Sequence, residues 1–269
     1  MLKISSDWLM DTETPEKANQ PIKKRAQNAA PSGAARFHGS AATTLSDVQY
    51  LRLHAAIVSM DMVPGTPISE KRIALEQGVS RTPIREAILR LTRENLVEVV
   101  AKSGTFVARI PISALPEALI ARRALEGMTS RSAAMCASRS QVLQLHAVIE
   151  RQREMAELND TKGFHLADDD FHAMVASIGK LPGLWRLVQQ VKLQVDRFRH
   201  LTLPEDGRMA MVVKEHASVV TAIEQGDEDL ACRNMEAHLS GLQHHFSHWV
   251  DTHPEYFIHD IDLDDISKI

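Results

Sequence analysis

Cysteine is nearly missing from this sequence: Cys136 and Cys232 are the only two in 269 residues. Two thiols in apolar, helix-patterned surroundings make no disulfide framework, and they suit buried thiols in a reducing compartment. No run of about eighteen apolar residues exists, so no membrane-spanning helix and no membrane partner are expected. The N-terminus lacks the apolar core of a secretory signal, which leads to an expected cytoplasmic location. A strong basic excess is missing too. The net charge of −4 by itself argues against a nucleic-acid binder. Divided along the chain, the balance changes. Residues 44–111 hold nine Lys/Arg against seven Asp/Glu, whereas residues 112–252 hold fifteen against nineteen. The modest basic excess therefore sits in the first of these segments. There is no internal repeat. The 44% hydrophobic content supports one large or two ordinary domains with tails.

The stretch Ile68–Leu96 reads as two short helices joined by a tight turn. Ile73, Ala74 and Leu75 supply the apolar side of the first, over residues 70–77, and Gly78 supplies the turn. Ser80-Arg81-Thr82-Pro83 opens the second: Ser80 or Thr82 can cap it, and Pro83 is tolerated in a first turn. Ile84, Ala87, Ile88 and Leu91 face inward at helical spacing, leaving Arg81, Thr82, Arg85 and Arg90 outward. Such a helix end can enter a major groove, where Arg reads guanine. It can equally be a solvated basic face. Two short β-branched runs, 96–100 and 105–108, follow around a turn at Ala101-Lys102-Ser103-Gly104 and make a hairpin. An earlier helix over 45–60 places Val48, Leu51, Leu53, Ala55 and Ile57 toward the core.

The run Gly78-Val79-Ser80-Arg81-Thr82-Pro83-Ile84-Arg85-Glu86-Ala87, the later Leu91, and Ser103-Gly104-Thr105-Phe106-Val107 resemble the winged helix-turn-helix of GntR-family transcription regulators. The resemblance implies that Lys71, Ser80, Arg81, Thr82, Arg85 and Gly104 serve double-stranded DNA. Family members often carry Arg where this chain has Lys71, which keeps the charge but not the bidentate fork.

Beyond Ile110-Pro111 the texture becomes helical. Segments 115–138, 141–158, 162–178, 184–201, 208–225 and 227–250 carry helix-like apolar spacing, with breaks at 179–183, 203–207 and 226–227. An all-α bundle fits links this short. Residues 1–43 lack sustained periodicity and read as a disordered tail; Lys23-Lys24-Arg25 within them read as solvated. Residues 253–269 are acidic and read as an unpacked tail. The domain plan is thus 1–43, 44–111, 112–252 and 253–269.

Asp168 and His172 lie four apart, on one face of a helix. His216 and His238 fall near the middles of two later helices. One carboxylate and three imidazoles from adjacent helices suit a divalent metal such as Zn, Ni or Mn, although lone helical histidines are often satisfied core or surface residues. Asp169 and Asp170 point elsewhere. His245, two turns beyond His238, reads as a helix-surface residue, as do His244 and His248.

Asp168-x-x-Phe171-His172, then Glu215-His216 with Ala222-Ile223 and Gly226-Asp227, then Met235-x-x-His238-Leu239 look like the FCD ligand-binding domain of one GntR branch. Arg122-Arg123-Ala124-Leu125-Glu126 is similar to its first helix. The resemblance implies a metal on Asp168, His172, His216 and His238 beneath an effector cavity, with Arg122 facing a carboxylate effector. Arg123 and Arg197 are weaker candidates for that role. Gly179-Lys180 departs from the Gly-Asn common there.

The expected protein is mainly α: a winged helix-turn-helix followed by an FCD-like bundle. It is a metabolite-responsive repressor, homodimeric so as to read palindromic half-sites, released by a small organic acid bound at the metal. It is not expected to be an enzyme. The alternative is a metal-dependent hydrolase or lyase fused to a DNA-binding module, but no zincin-type base and no nucleophile motif are present. A purely architectural DNA-binding protein would have no use for the polar constellation.

Overall fold

Thr44 and Asp47 open the first helix with a reciprocal capping box: each side chain accepts from the other's backbone N–H, at 3.0 and 3.1 Å. The computed structural model describes residues 44–262; the expected tail at 1–43 and the end of the acidic segment lie outside them. Helix α1 (Leu45–Val58) packs on α3 (Arg81–Arg93), with α2 (Glu70–Glu76) between them in sequence. Ser69 caps α2 and Gly78 turns the chain with φ +61°, a conformation that costs glycine little. Strands β1 (Val97–Val100) and β2 (Gly104–Val107) pair antiparallel from Val97↔Val107 to Val100↔Gly104. Leu53, Ile57, Ile73, Ile84, Ile88, Leu91, Leu96 and Val107 form the core of this unit.

Two details differ from the periodicity reading. Val48, Leu51 and Ala55 face solvent, and only Leu53 and Ile57 of that set are buried. The i, i+4 pair meets α3, while 48, 51 and 55 form a second stripe that no described element covers. Leu75 is 80% exposed, because the seven-residue α2 is too short to bury two sides.

The second part is helical throughout, as expected. Helix α4 (Ala114–Cys136) is its spine, touching α6 (Thr161–Ile178), α7 (Pro182–Val191), α8 (Leu193–Thr202), α9 (Arg208–Gln225) and α10 (Glu228–Ser240). Helix α5 (Arg139–Glu157) closes against α6 and α9. The single helix expected over 184–201 is two. Its break, Lys192, has ψ −6°, far from the helical value of about −42°, and its ammonium turns to Asp169 and Asp196. The helix expected over 227–250 also divides: after α10 the chain tightens into a 3-10 turn at Gly241–His245 and resumes as α11 (Phe246–Thr252). Gly241, a poor helix former, stands at the change. Both thiols are free and half-buried rather than fully buried. Among the described residues no helix is long and apolar enough to cross a membrane.

The expectation of an unpacked tail from residue 253 needs correction. Strand β4 (Phe257–Ile258) pairs parallel with β3 (Ile110–Pro111), and Asp260 accepts from both the backbone N–H and the hydroxyl of Ser113. Phe257 is buried with Phe198, Phe246, Ile110 and Leu115. Tyr256-Phe257-Ile258 is too short a run to show a period, yet burying Phe257 outweighs the solvation of the charges around it. Phe257→Ala is expected to lower unfolding stability by about 3–5 kcal/mol, read as a shift in urea midpoint at unchanged slope; an unaltered midpoint would mean that the segment adds nothing to the fold.

Candidate DNA-binding face and buried metal centre

Helix α3 begins at Arg81, with Ser80 at its N-cap position but without a side-chain capping bond. Ile84, Ala87, Ile88 and Leu91 are buried as the spacing predicts. That anchors the opposite face: Lys71, Ser80, Arg81, Thr82 and Arg85 are all exposed, on the end of the molecule where α2 meets α3. Arg81 is held by Glu70 at 3.0 Å. Arg90 is turned away from that face, pairing with Asp47 at 2.7 Å and lying 3.8 Å over the Tyr50 ring; it ties α3 to α1. The wing tip exposes Lys102 (φ +64°) and Gly104 (φ +135°). A side chain at 104 would be strained by that backbone.

The other polar constellation is inside the bundle. Asp168 and His172 come from α6, His216 from α9 and His238 from α10, and all four are buried. The sequence names each, and the structure brings all four together. His216 Nε2 and His238 Nε2 are 3.1 Å apart. Asp168 Oδ1 lies 3.8 Å from His216 Nε2, and Oδ2 lies 3.8 Å from His172 Nε2. His172, His216 and His238 each offer a ring nitrogen within 4.8 Å of the others; ligand atoms about 2.1 Å from one ion stand roughly 3.0–3.4 Å apart, so the three imidazoles and the more distant Asp168 would have to draw together around an ion.

The outward ring nitrogens decide which inner ones are free. Gln152 donates its amide to Ala167 O at 3.1 Å, which turns its Oε1 to His216 Nδ1 at 2.9 Å. Glu215 Oε2 accepts from His238 Nδ1 at 2.8 Å, and Glu126 Oε2 faces His172 Nδ1 at 2.6 Å. With Nδ1 protonated in each ring, the three Nε2 lone pairs point inward. Burial, then the neighbouring imidazole and its other surroundings, holds His216 and His238 well below the ordinary histidine range, so both rings are neutral. Burial works to raise the Asp168 carboxyl, but the groups around it, the Arg199 guanidinium foremost, outweigh it and keep the group well below the usual carboxylate range. Neither Asp168 oxygen has an aligned hydrogen bond, although Arg199 Nη2 is 2.6 Å from Oδ1. Neutral imidazoles converging on an ionised, under-satisfied carboxylate fit a divalent cation.

Above His238 lies a cavity lined by Leu119, Arg122, Arg199, Thr202, Arg208 and Leu242, among others. Arg122 faces it as expected, fixed by Glu126 at 2.6 Å. Arg123 reaches Ser240 instead. Arg197, the other weaker candidate, is wholly buried and donates to Ala108 O at 2.6 Å. Asp169 and Asp170 pair with Lys192 and Arg151, and His245 with Glu205, all away from the centre. Lys180 takes φ +59°, so the turn keeps a left-handed residue there without asparagine.

Sequence reasoning missed Gln152, Arg199, Glu215 as a ring partner, and Arg208. Two left a signal: Gln152 interrupts the buried stripe Leu145, Val148, Ile149, and Arg199 sits within Val195, Phe198, Thr202. A polar residue in an apolar stripe asks for a buried partner.

A winged helix-turn-helix joined to a helical domain defines a DNA-binding transcription regulator. The chain belongs to the GntR family: the model of bacterial regulatory proteins of the gntR family matches residues 45–107, and that of the FCD domain matches 117–241. It is 30% identical to the HTH-type transcriptional repressor RspR of Escherichia coli over 72% of this chain and 85% of that protein. It is 31% identical to the Uxu operon regulator of Haemophilus influenzae over 65% of this chain and 71% of that one. Two solved structures share the fold: E. coli McbR/YncC (TM-score 0.64, 19% identity, 76% and 98% covered) and a GntR regulator from Rhodococcus sp. RHA1 (TM-score 0.63, 22% identity, 76% and 97% covered). The chain is a DNA-binding transcription regulator and not an enzyme; nothing supports the hydrolase or lyase alternative.

Purified protein is expected to carry about one divalent ion per chain, measured by elemental analysis. His216→Ala or His238→Ala should lose it, and Gln152→Leu should weaken it about 10–100-fold. A metal-free protein of undiminished thermal midpoint that takes up no Zn, Ni or Mn would sink the assignment.

Proposed function

We propose that this regulator is a homodimeric repressor that reads paired half-sites with the exposed end of α3 and is released by a small organic acid bound at a divalent metal in the bundle. Lys71, Ser80 and Thr82 hold phosphates, Arg81 and Arg85 read base edges, and Gly104 brings the wing close to the backbone. Asp168, His172, His216 and His238 hold the metal, which offers an open position to a carboxylate; Arg122 adds charge beside it. Ile120, Met128 and Met135 on α4 are exposed in the single chain and provide an apolar face that a second copy would cover.

The observation that carries this reading is α8. Its Arg199 lies on Asp168 and lines the cavity, while Arg197, two residues earlier, holds Ala108 O in the segment that follows the wing. Leu193, in the first turn of α8, packs against the core of the DNA-binding unit. A ligand that draws Arg199 off Asp168 thus pulls on a helix whose other end grips the DNA-binding unit. That is a differential contact able to bias two states.

Two measurements test this. Arg85→Ala and Arg81→Ala should each cost about 1–3 kcal/mol of operator binding and little on random DNA; equal losses on both would leave only phosphate contact. Arg197→Met should keep metal and acid binding while the acid no longer changes operator affinity. A variant that responds like the parent would remove α8 from the path.

A further inference from the structure

The cavity above the metal centre has an unusual charge inventory. Three of its lining residues are arginines, Arg122, Arg199 and Arg208, and among the described lining residues there is no Asp or Glu. Arg122 is matched by Glu126 and Arg199 by Asp168. Arg208 has no described carboxylate within ion-pair distance; Glu215 and Glu205 act on its charge only from further off. It is 94% buried by its 6% exposure, and its Nη1 is out of contact with solvent and has no hydrogen-bond partner. A guanidinium stays charged in proteins, and a buried charge is kept in place only by something that pairs with it. Moreover, Asp168 serves both as candidate metal ligand and as the partner of Arg199. A cation that takes this carboxylate would leave Arg199 with only the longer contact to Asp196, at 4.0 Å.

We infer that the ligand of this cavity is a compact organic dianion, one anionic end on the metal and the other on Arg208 and Arg199. This rests on the reading of the centre as a metal-borne acid site and goes further by fixing the ligand's charge. The rest of the wall sets its size and character. Leu119, Leu203, Val212, Leu239 and Leu242 leave a space of about 20 Å³, the room of roughly one water. The ligand therefore enters by moving side chains apart, and a compact one asks for the least movement. Beyond the His238 ring there is no aromatic among the lining residues on which a nucleobase could stack. The apolar residues also exclude water and so strengthen each charge contact. Carboxylate and phosphate meet the same requirement at the arginine end, since both accept the planar guanidinium fork.

The test uses the full chain loaded with Zn(II) and compares acids of similar length by calorimetry: butyrate as the monoanion, succinate and malate as dicarboxylates, and 3-phosphoglycerate as the phosphorylated acid. The dianions are expected to bind at least about tenfold more tightly than butyrate, which is the gain of one charge-assisted pair. In Arg208→Gln, checked for native helix content and metal load, the classes should bind alike, and Arg208→Lys should restore part of the preference. Stronger binding of the dicarboxylates or of the phosphorylated acid identifies which group the arginine end takes. Equal binding of butyrate and the dianions, or an Arg208→Gln variant that keeps the preference, overturns the dianion inference while leaving the acid site standing. If none of the acids binds, the inference and the acid-site reading fall together.

Discussion

Two neutral imidazoles whose Nε2 lone pairs face each other at 3.1 Å repel unless a positive charge stands between them. Much of the bundle's polar interior follows from that constraint. The Nδ1 protons must be taken up on the far sides, and Gln152, Glu215 and Glu126 are where those acceptors lie. Gln152 can present oxygen because its own amide is committed to Ala167 O. Asp168 lies beside this group, 3.8 Å from His216 Nε2 and from His172 Nε2. Removing any one of these partners would orphan a buried group.

The helices that carry these residues are positioned by ordinary apolar packing. Phe164, Phe171, Val175, Val213, Val220 and Met235 are buried in the same core as the polar centre, and Phe171 stacks on His216 at 4.1 Å between centroids. Low dielectric surroundings make the charge contacts strong and make their absence costly. The same environment confines Arg122, Arg199 and Arg208 to one small cavity, where a cation-rich wall meets the His238 ring.

A second core joins the two units. Ile110, Ile112, Leu115, Phe198, Phe246 and Phe257 bring together the segment after the wing, the start of α4, α8 and the C-terminal strand. Arg197 adds a directed bond to Ala108 O within the same region. Movement of α8 is therefore not free of the DNA-binding unit, because packed interfaces shift between discrete arrangements rather than stretch. Lys162 paired with Asp61 at 3.0 Å lies on the exposed rim of this contact, where it adds little.

Local chemistry determined much of this protein without help from tertiary structure. The turn at Gly78, the inward face Ile84, Ala87, Ile88 and Leu91, and the hairpin around Gly104 all follow from neighbours three or four residues apart. The i, i+4 pair Asp168 and His172 is legible for the same reason. What only the tertiary structure decided involves partners far apart in sequence. Gln152 meets His216 across 64 positions and Ala108 meets Arg197 across 89, and no periodicity encodes such a pairing. Val48, Leu51 and Leu75 show the converse: their pattern is apolar, but burial depends on whether another element arrives to cover them, and among the described residues none does. Phe257 is covered because β4 reaches β3. A side chain's own chemistry states what it needs, and the rest of the chain, folded around it, determines whether that need is met.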